Sequence, residues 1–101
     1  MPPLREENEK IIGFLRYNLF WDEIAFMNII YFLEEYQKKG FGTKLVKYWE
    51  NDMNKNGFKY LMTSTHPNEE GQYFYRKLGY TEIGGFKYMD YPFEIMFHKQ
   101  F

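Results

Sequence analysis

The stretch Gln37-Lys38-Lys39-Gly40-Phe41-Gly42 stands between a predicted strand and a predicted helix. The strand, Ile24–Phe32, is rich in β-branched and aromatic residues, which favour extended backbone. A helix N-terminus presents free backbone N–H groups at the positive end of the helix dipole, and glycines let an anion approach the main chain closely. This arrangement predicts a phosphate-binding loop, with further positive charge from Lys38, Lys39 and Lys44.

The two glycines do not by themselves establish a ligand site. A helix that merely begins with two glycines would give the same short pattern, so the loop alone leaves both interpretations open. The P-loop requires Gly-x-x-x-x-Gly-Lys-Ser/Thr, and the dinucleotide fingerprint requires a third glycine where Leu45 stands. Both of these familiar phosphate-binding motifs are therefore excluded.

Hydrophobic residues recur at helical spacing after the loop. The predicted buried face carries Phe41, Leu45, Val46, Trp49 and Met53. The opposite face, which we expect to lie in solvent, carries Lys44, Lys47, Glu50, Asn51 and Lys55. The pair Asn56-Gly57 predicts the end of this helix.

The other predicted elements surround this loop and helix. The predicted strands are Ile11–Tyr17, Ile24–Phe32, Phe58–Thr65, Tyr80–Ile83 and Phe93–Phe97. A second helix is expected to begin near His66-Pro67-Asn68, with Asn68 as its cap, and to end at Gly79. Gly84-Gly85 and Asp90-Tyr91-Pro92 predict connecting turns. The order β-β-α-β-α-β-β predicts an α/β (α+β) fold, a mixed, mostly antiparallel sheet with two helices packed on it.

Length and composition restrict the class of protein. At 101 residues the chain is expected to form one domain, residues 11–101, after a polar segment, residues 1–10. Aromatic residues make up 23%, so Tyr and Phe are expected to dominate the core. A formal charge of -1 argues against a nucleic-acid partner. With no Cys and two distant histidines we expect no metal site, and without a long apolar run we expect a cytoplasmic protein with no membrane partner.

Two motifs together resemble the GNAT superfamily of N-acetyltransferases. The family's Arg/Gln-x-x-Gly-x-Gly/Ala motif is matched by Gln37–Gly42, and the resemblance extends over about residues 11–98. A second family segment, an Asn opening the next helix and Tyr-x-Lys-x-Gly-Phe/Tyr closing it, is matched by Asn68 and by Tyr75-Arg76-Lys77-Leu78-Gly79-Tyr80. The sequence departs from the family in having ten residues before Ile11, where relatives carry a first strand and one or two helices.

The resemblance implies acetyl-CoA as cosubstrate and no metal. Its pyrophosphate would lie on the amides from Lys38 to Thr43, and its pantetheine would pair with the strand edge at Ile30-Tyr31-Phe32. Tyr75 matches the family tyrosine that gives a proton to the departing thiolate. The cofactor-binding residues implied in this way are Ile30, Tyr31, Phe32, Gln37, Lys38, Lys39, Gly40, Phe41, Gly42, Thr43, Asn68 and Tyr75.

The general base remains open at the level of sequence. Thr63 stands where some relatives carry a Glu, and Phe26 and Asn28 stand where others carry acids. A water held by Asn28 or Glu34 is one alternative, although Glu34-Glu35 also suits a solvated loop. His66 could relay a proton or serve only in a turn. The segment Phe20-Trp21-Asp22-Glu23 would attract a cationic amine, or it forms a hairpin tip without a ligand.

The function implied by the resemblance is direct transfer of an acetyl group from acetyl-CoA to a primary amine of a small molecule or peptide. Two alternatives are a catalytically idle acyl-CoA-binding or interaction module and a structural domain without a ligand. Because only ten residues precede Ile11, we expect the strand there to be an open sheet edge. We therefore expect a homodimer, in which a second copy covers that edge.

Overall fold

A six-stranded sheet and two helices make up the part of the chain that the computed structural model describes, residues 4–5, 11–67, 70–87 and 89–101. The strands are β1 (Leu4–Arg5), β2 (Ile11–Phe20), β3 (Ile24–Phe32), β4 (Tyr60–Thr65), β5 (Thr81–Phe86) and β6 (Glu94–Gln100). The helices are α1 (Phe41–Lys55) and α2 (Gly71–Lys77), and a short 3-10 helix covers Glu34–Tyr36. Asn68, the predicted helix cap and cofactor contact, lies outside the described residues.

The sheet has the order β1-β2-β3-β4-β6-β5. Every neighbouring pair is antiparallel except β3 and β4, which run parallel and are joined through α1. A parallel pair requires a long crossover connection, and α1 supplies it. The predicted fold class is therefore confirmed, with one addition: the two-residue strand β1 forms within the segment that was expected to be a polar tail.

One core cluster unites both helices with the sheet. From α1 it receives Leu45, Val46, Trp49 and Met53, and from α2 it receives Tyr75. The predicted apolar face of α1 is thus confirmed, with Phe41 half-buried at its edge. Most of the sheet positions in the cluster are aliphatic or Met, and they include Leu15, Ala25, Met27, Leu61 and Ile95.

The prediction that Tyr and Phe dominate the core is wrong. Among the fifteen buried hydrophobic residues in the described part of the chain, only Phe32, Tyr75, Tyr80 and Phe97 are Phe or Tyr. The reason is that aliphatic and Met side chains occupy the strand positions that face the helices. Many rings lie instead at turns, on outer helix faces or at the sheet surface, among them Trp21, Tyr31, Tyr48, Tyr73, Tyr91 and Phe93.

Several predicted boundaries shift. The strand expected from Phe58 begins at Tyr60, and the helix expected near His66 begins at Gly71. Gly84-Gly85 is not a connecting turn but lies within β5, where the pairing with β6 changes register between Glu82 and Gly84. A bulge with a glycine at positive φ, +135° at Gly84, lets the strand continue through this irregularity.

The strand at Ile11 is not a fully open edge. β1 pairs with it, so that Leu4 lies opposite Gly13 and Arg5 opposite Ile11. β1 thus occupies part of the edge that a second chain was expected to cover, and the homodimer stays a prediction.

Glu50 was expected on the solvent face of α1, but its side chain is buried. Both of its carboxylate oxygens lie 3.2 Å from Nζ of Lys99 on β6, and the same Nζ donates to the Leu78 carbonyl at 2.7 Å. Burial, and then the negative charge of Glu50, raise the pKa of the nearby Tyr80 hydroxyl far above its usual range. The pair ties the middle of α1 to β6 and to the end of α2.

We expect Lys99→Met to lower the free energy of unfolding by about 2–3 kcal/mol, because it leaves a buried carboxylate without its countercharge. Lys99 is 27% exposed, so the loss should fall below that for a fully buried pair. The double variant Glu50→Gln/Lys99→Met should recover much of the loss. Urea denaturation of the wild type, of Glu50→Gln, of Lys99→Met and of the double variant measures this coupling. A loss in the double variant equal to the sum of the two single losses would contradict it.

Candidate active site

The loop before α1 has the backbone geometry of an anion site. Lys38 and Gly40 both have positive φ, +59° and +84°, and Gly40 occupies the N-cap position. The first helical bond runs from the Lys44 N–H to the Gly40 carbonyl at 3.2 Å, and no side chain caps the helix. The N–H groups of Phe41–Thr43 therefore precede the intrahelical hydrogen bonds, and the left-handed residues turn the loop amides outward.

A cleft of about 500 Å³, called here the loop cleft, opens beside this helix end. It extends from the loop to the last residues of β3. Its lining residues are Ile30, Tyr31, Phe32, Tyr36, Gln37, Lys38, Gly40, Gly42, Thr43 and Phe74. Eight of these ten coincide with residues that the sequence predicted as cofactor-binding, so the structure brings most of that predicted set together around one cleft.

Two lining residues were missed, and three of the predicted residues that the structure describes, Lys39, Phe41 and Tyr75, do not line the cleft. Tyr36 and Phe74 carry no motif signal; Tyr36 directly precedes the loop in sequence, whereas only the fold brings Phe74 there. Lys39 is exposed outside the lining set, and Phe41 packs its ring against Phe32 and Tyr36 at centroid distances of 6.2 and 5.9 Å. Because its ring is packed in this way, Phe41 would contact a ligand in the cleft through its backbone N–H.

The strands β3 and β4 pair over only part of their length. The paired residues are Ala25 with Leu61, Phe26 with Met62, and Met27 with Thr63. At the last of these pairs the Thr63 hydroxyl donates to the Met27 carbonyl at 3.1 Å and is buried there. Thr63, predicted at the position of a base in some relatives, is thus engaged in closing the paired segment.

Beyond Met27, alternate residues of β3 direct their backbone groups away from β2. The Leu33 N–H donates to the Ile12 carbonyl at 2.9 Å, and antiparallel pairs alternate between hydrogen-bonded and non-hydrogen-bonded. In this register, Ile30 and Phe32 do not form backbone hydrogen bonds with β2. Their N–H and C=O groups point to the other side of β3, where β4 no longer pairs with it. The side-chain amide of Gln37 donates a hydrogen bond to the Phe32 carbonyl at 2.9 Å.

A bulge marks the start of this free segment. The register of β2 with β3 shifts between Arg16 and Tyr17, which pair with Ile29 and Met27, so that Asn28 is the additional residue. The Asn28 side-chain amide donates to the side-chain oxygen of Asn18. A bulge increases local bending, which is consistent with the separation of β3 from β4 at this point.

A second cavity, of about 550 Å³, lies between the separated strand ends and α2 and is called here the strand-end cavity. It shares Ile30 and Phe74 with the loop cleft, so the two are contiguous. Its lining residues are Asn28, Ile29, Ile30, Ser64, Thr65, His66, Glu70, Gly71, Phe74, Tyr75 and Glu94.

Tyr75, the predicted proton donor, is 7% exposed and lines the strand-end cavity. Its ring stands edge-on to Phe74 and Tyr80, with centroids 5.2 and 5.8 Å away, which fixes the ring in place. At Gly71 an added Cβ would lie 2.7 Å from the Thr65 hydroxyl, so the start of α2 approaches β4 more closely than any other residue would allow.

The two cavities differ in charge. The loop cleft has Lys38 and the N-terminus of α1. The strand-end cavity contains the carboxylates Glu70 and Glu94, and its described lining includes no Lys or Arg. His66 lies there beside Glu94, with Nε2 3.5 Å from Oε2. One cavity therefore suits an anion and the adjoining one a cation.

Other predicted candidates lie elsewhere. The Phe20–Glu23 turn is at the opposite end of β3 from the loop cleft, roughly 25 Å along the strand at 3.3 Å per residue. Its Trp21 and Glu23 line a separate cleft with Asn56, which favours the alternative of a hairpin tip over a segment beside the acceptor. Glu34 is exposed in the 3-10 helix and lines neither cavity.

Within the described ranges, no group of three or more His, Cys, Asp or Glu side chains is arranged to hold a metal ion. Neither helix in this part of the chain has the length and apolar character needed to cross a membrane.

The model of the acetyltransferase (GNAT) family matches residues 2–80. Comparison with curated proteins gives no match. Among solved structures, the chain resembles an acetyltransferase from Bacillus cereus at 19% identity and a TM-score of 0.82, over 99% of this chain and 71% of that one.

Two further solved structures carry ligands. A GNAT family acetyltransferase from Elizabethkingia anophelis with acetyl-CoA bound is 20% identical, with a TM-score of 0.81 over 95% of this chain and 72% of that one. The PaiA N-acetyltransferase from Thermoplasma acidophilum in complex with coenzyme A is 22% identical, with a TM-score of 0.79 over 95% of this chain and 57% of that one. At such identities the likeness shows the fold.

The geometry of the loop predicts different responses to substitution at its two left-handed residues, Lys38 and Gly40. Gly40→Ala should lower the free energy of unfolding by about 1 kcal/mol, because a Cβ there meets no atom within 4 Å and the cost is backbone strain alone. Lys38→Gly should stay within about 0.5 kcal/mol of the wild type, because relief of strain offsets the added freedom of the unfolded chain. Urea unfolding measures both, and an unchanged stability of Gly40→Ala would contradict the loop conformation.

Proposed function

The chain belongs to the GNAT acetyltransferase family, and we propose that it transfers an acetyl group from acetyl-CoA to a primary amine of a small molecule or peptide. The observation that carries the proposal is the contiguity of two cavities of opposite charge at the separated ends of β3 and β4. The reaction needs a place for pyrophosphate, a path for pantetheine, a donor to the developing oxyanion and an acid for the thiolate.

The loop cleft would hold the pyrophosphate. Its amides from Lys38 to Thr43 meet the positive end of the α1 dipole, and Lys38 adds a formal positive charge. Gly42 lines the cleft, and a Cβ there would lie 3.3 Å from the Phe74 ring and 4.0 Å from that of Phe32. A side chain at this position would therefore occupy the space between the two rings, along the way from the loop to the strand-end cavity.

The free edge of β3 would hold the pantetheine. An amide-bearing chain can add to an exposed strand edge through main-chain hydrogen bonds, and Ile30 and Phe32 direct their N–H groups to that edge. Ile30 lines both cavities, so its N–H is the backbone donor at the junction between them. We assign to this N–H the stabilisation of the thioester oxyanion.

Tyr75 would act as the general acid. A phenol, with a reference pKa of about 10, can protonate a departing thiolate, whose thiol has a pKa of about 8.5. Transfer would proceed directly within a ternary complex, and the absence of Cys rules out a cysteine acyl-enzyme for this chain. If coenzyme A binds but no amine causes thiol release, the chain is instead an acyl-CoA-binding module.

We expect Gly42→Val to raise the Kd for coenzyme A at least about tenfold, because its side chain would enter the cleft between Phe32 and Phe74. Asn51→Val is the matched control, since it places the same side chain on an exposed position of the same helix. Calorimetric titration gives both affinities, and circular dichroism verifies that each variant is folded. Equal affinities for the two variants would move the cofactor away from this cleft.

We expect Tyr75→Phe to lower kcat on the order of 10²-fold with little change in the Kd for acetyl-CoA, because the ring is kept and the acid removed. Tyr73→Phe, on the same helix with a side chain 63% exposed, should leave kcat unchanged. The measurement is thiol release with acetyl-CoA and a panel of amines. Similar kcat values for both variants would assign Tyr75 to packing alone.

A further inference from the structure

We propose that His66 is the proton acceptor for the amine and that Glu94 positions it and attracts the ammonium form. This inference rests on the proposed function and supplies its missing base. His66 directly follows β4 and Glu94 begins β6, and both line one wall of the strand-end cavity, with Nε2 of His66 3.5 Å from Oε2 of Glu94.

The backbone fixes this pairing. β4 and β6 are antiparallel, and their last registered pair is Thr65 with Ile95. His66 directly follows β4 and Glu94 is the first residue of β6, so the next step of the register sets the two opposite each other. Cross-strand neighbours are close enough for their side chains to interact.

The Glu94 carboxylate is the negatively charged neighbour of His66 at this wall of the cavity. Its Oε2 is buried and makes no hydrogen bond within the described part of the chain. Burying a carboxylate oxygen without a hydrogen-bond donor costs free energy, and a protonated imidazole at this position would be a charged donor. An imidazolium at His66 would therefore give this oxygen a charged partner, and histidine is the side chain that most often acts as a general base.

The charges around the pair support a cationic acceptor. His66 and Glu94 also line a further cleft, which includes Tyr91. The other titratable groups that face the His66–Glu94 pair are Glu70 before α2 and Tyr75 on α2. Among the described residues that line the strand-end cavity and the cleft with Tyr91, none is Lys or Arg. An ammonium group is attracted to this site, and the imidazolium that forms meets no lining cation.

The proton and electron balance is complete without a further reactant. One ammonium N–H bond breaks and its proton passes to His66; the nitrogen lone pair then forms a bond to the thioester carbon. The C–S bond breaks as Tyr75 protonates the thiolate, and Tyr75 regains a proton from the new amide nitrogen. His66, with a side chain 35% exposed, returns its proton to solvent. The products are one amide, one thiol and one proton.

The test compares His66→Gln and Glu94→Gln with two matched controls. His98→Gln alters the other histidine and Glu82→Gln a carboxylate on β5, and neither residue lines the strand-end cavity. Thiol release is followed from about pH 6 to about pH 10, using acetyl-CoA with an alkylamine, a diamine and peptides bearing a free α-amine or a lysine.

We expect His66→Gln to lower kcat/KM for the amine on the order of 10²-fold at neutral pH. The loss should shrink as the pH approaches about 10, because the amine then arrives without its proton. Glu94→Gln should mainly raise the KM for the amine, and both controls should match the wild type. A loss that is the same at every pH, or an unchanged pH profile, would overturn the role of His66.

Acetyl-CoA titration separates this inference from the function on which it rests. Every variant should bind acetyl-CoA with wild-type affinity, because the pair does not line the loop cleft. A wild type that releases thiol while His66→Gln keeps its pH profile overturns the inference alone. A wild type that binds acetyl-CoA but releases no thiol with any amine overturns the proposed catalysis and the role of the pair together.

Discussion

β3 and β4 pair only as far as Met27 and Thr63, and the site depends on what their separation leaves exposed. In a fully paired parallel ladder the N–H groups of Ile30 and Phe32 would be consumed by the neighbouring strand. Separation turns them toward a cleft and opens a cavity below α2. The bulge at Asn28 and the Thr63–Met27 hydrogen bond mark the end of the paired segment. Local sequence therefore determines where β3 separates from β4.

The opposite charges of the two cavities follow from different kinds of structure. The positive character of the loop cleft comes largely from backbone, through the free amides of α1 and two left-handed residues, whereas Glu70 and Glu94 make the strand-end cavity negative. Fixed dipoles require no reorganisation when a charged ligand enters. Ile30 and Phe74 line both cavities and form the boundary at which acetyl transfer is proposed.

The sequence predicted the loop side of this site because its determinants are local. Glycine spacing, strand and helix propensities and the register of Tyr75 all lie within short segments. Glu94 escaped prediction because its importance arises from strand pairing: β6 follows β5 in sequence but inserts between β4 and β5 in the sheet. Glu50 was misplaced for a similar reason, since helical periodicity cannot reveal that Lys99 lies above its polar face.

Amide hydrogen exchange of β3, measured by NMR with and without coenzyme A, tests the free strand edge most directly. Without ligand, the N–H groups of Ile30 and Phe32 should exchange faster than that of Tyr31, which pairs with β2. Coenzyme A should slow exchange at Ile30 and Phe32, and leave Tyr31 little changed. Protection of Ile30 and Phe32 in the free protein, or no change on saturation with coenzyme A, would contradict the account.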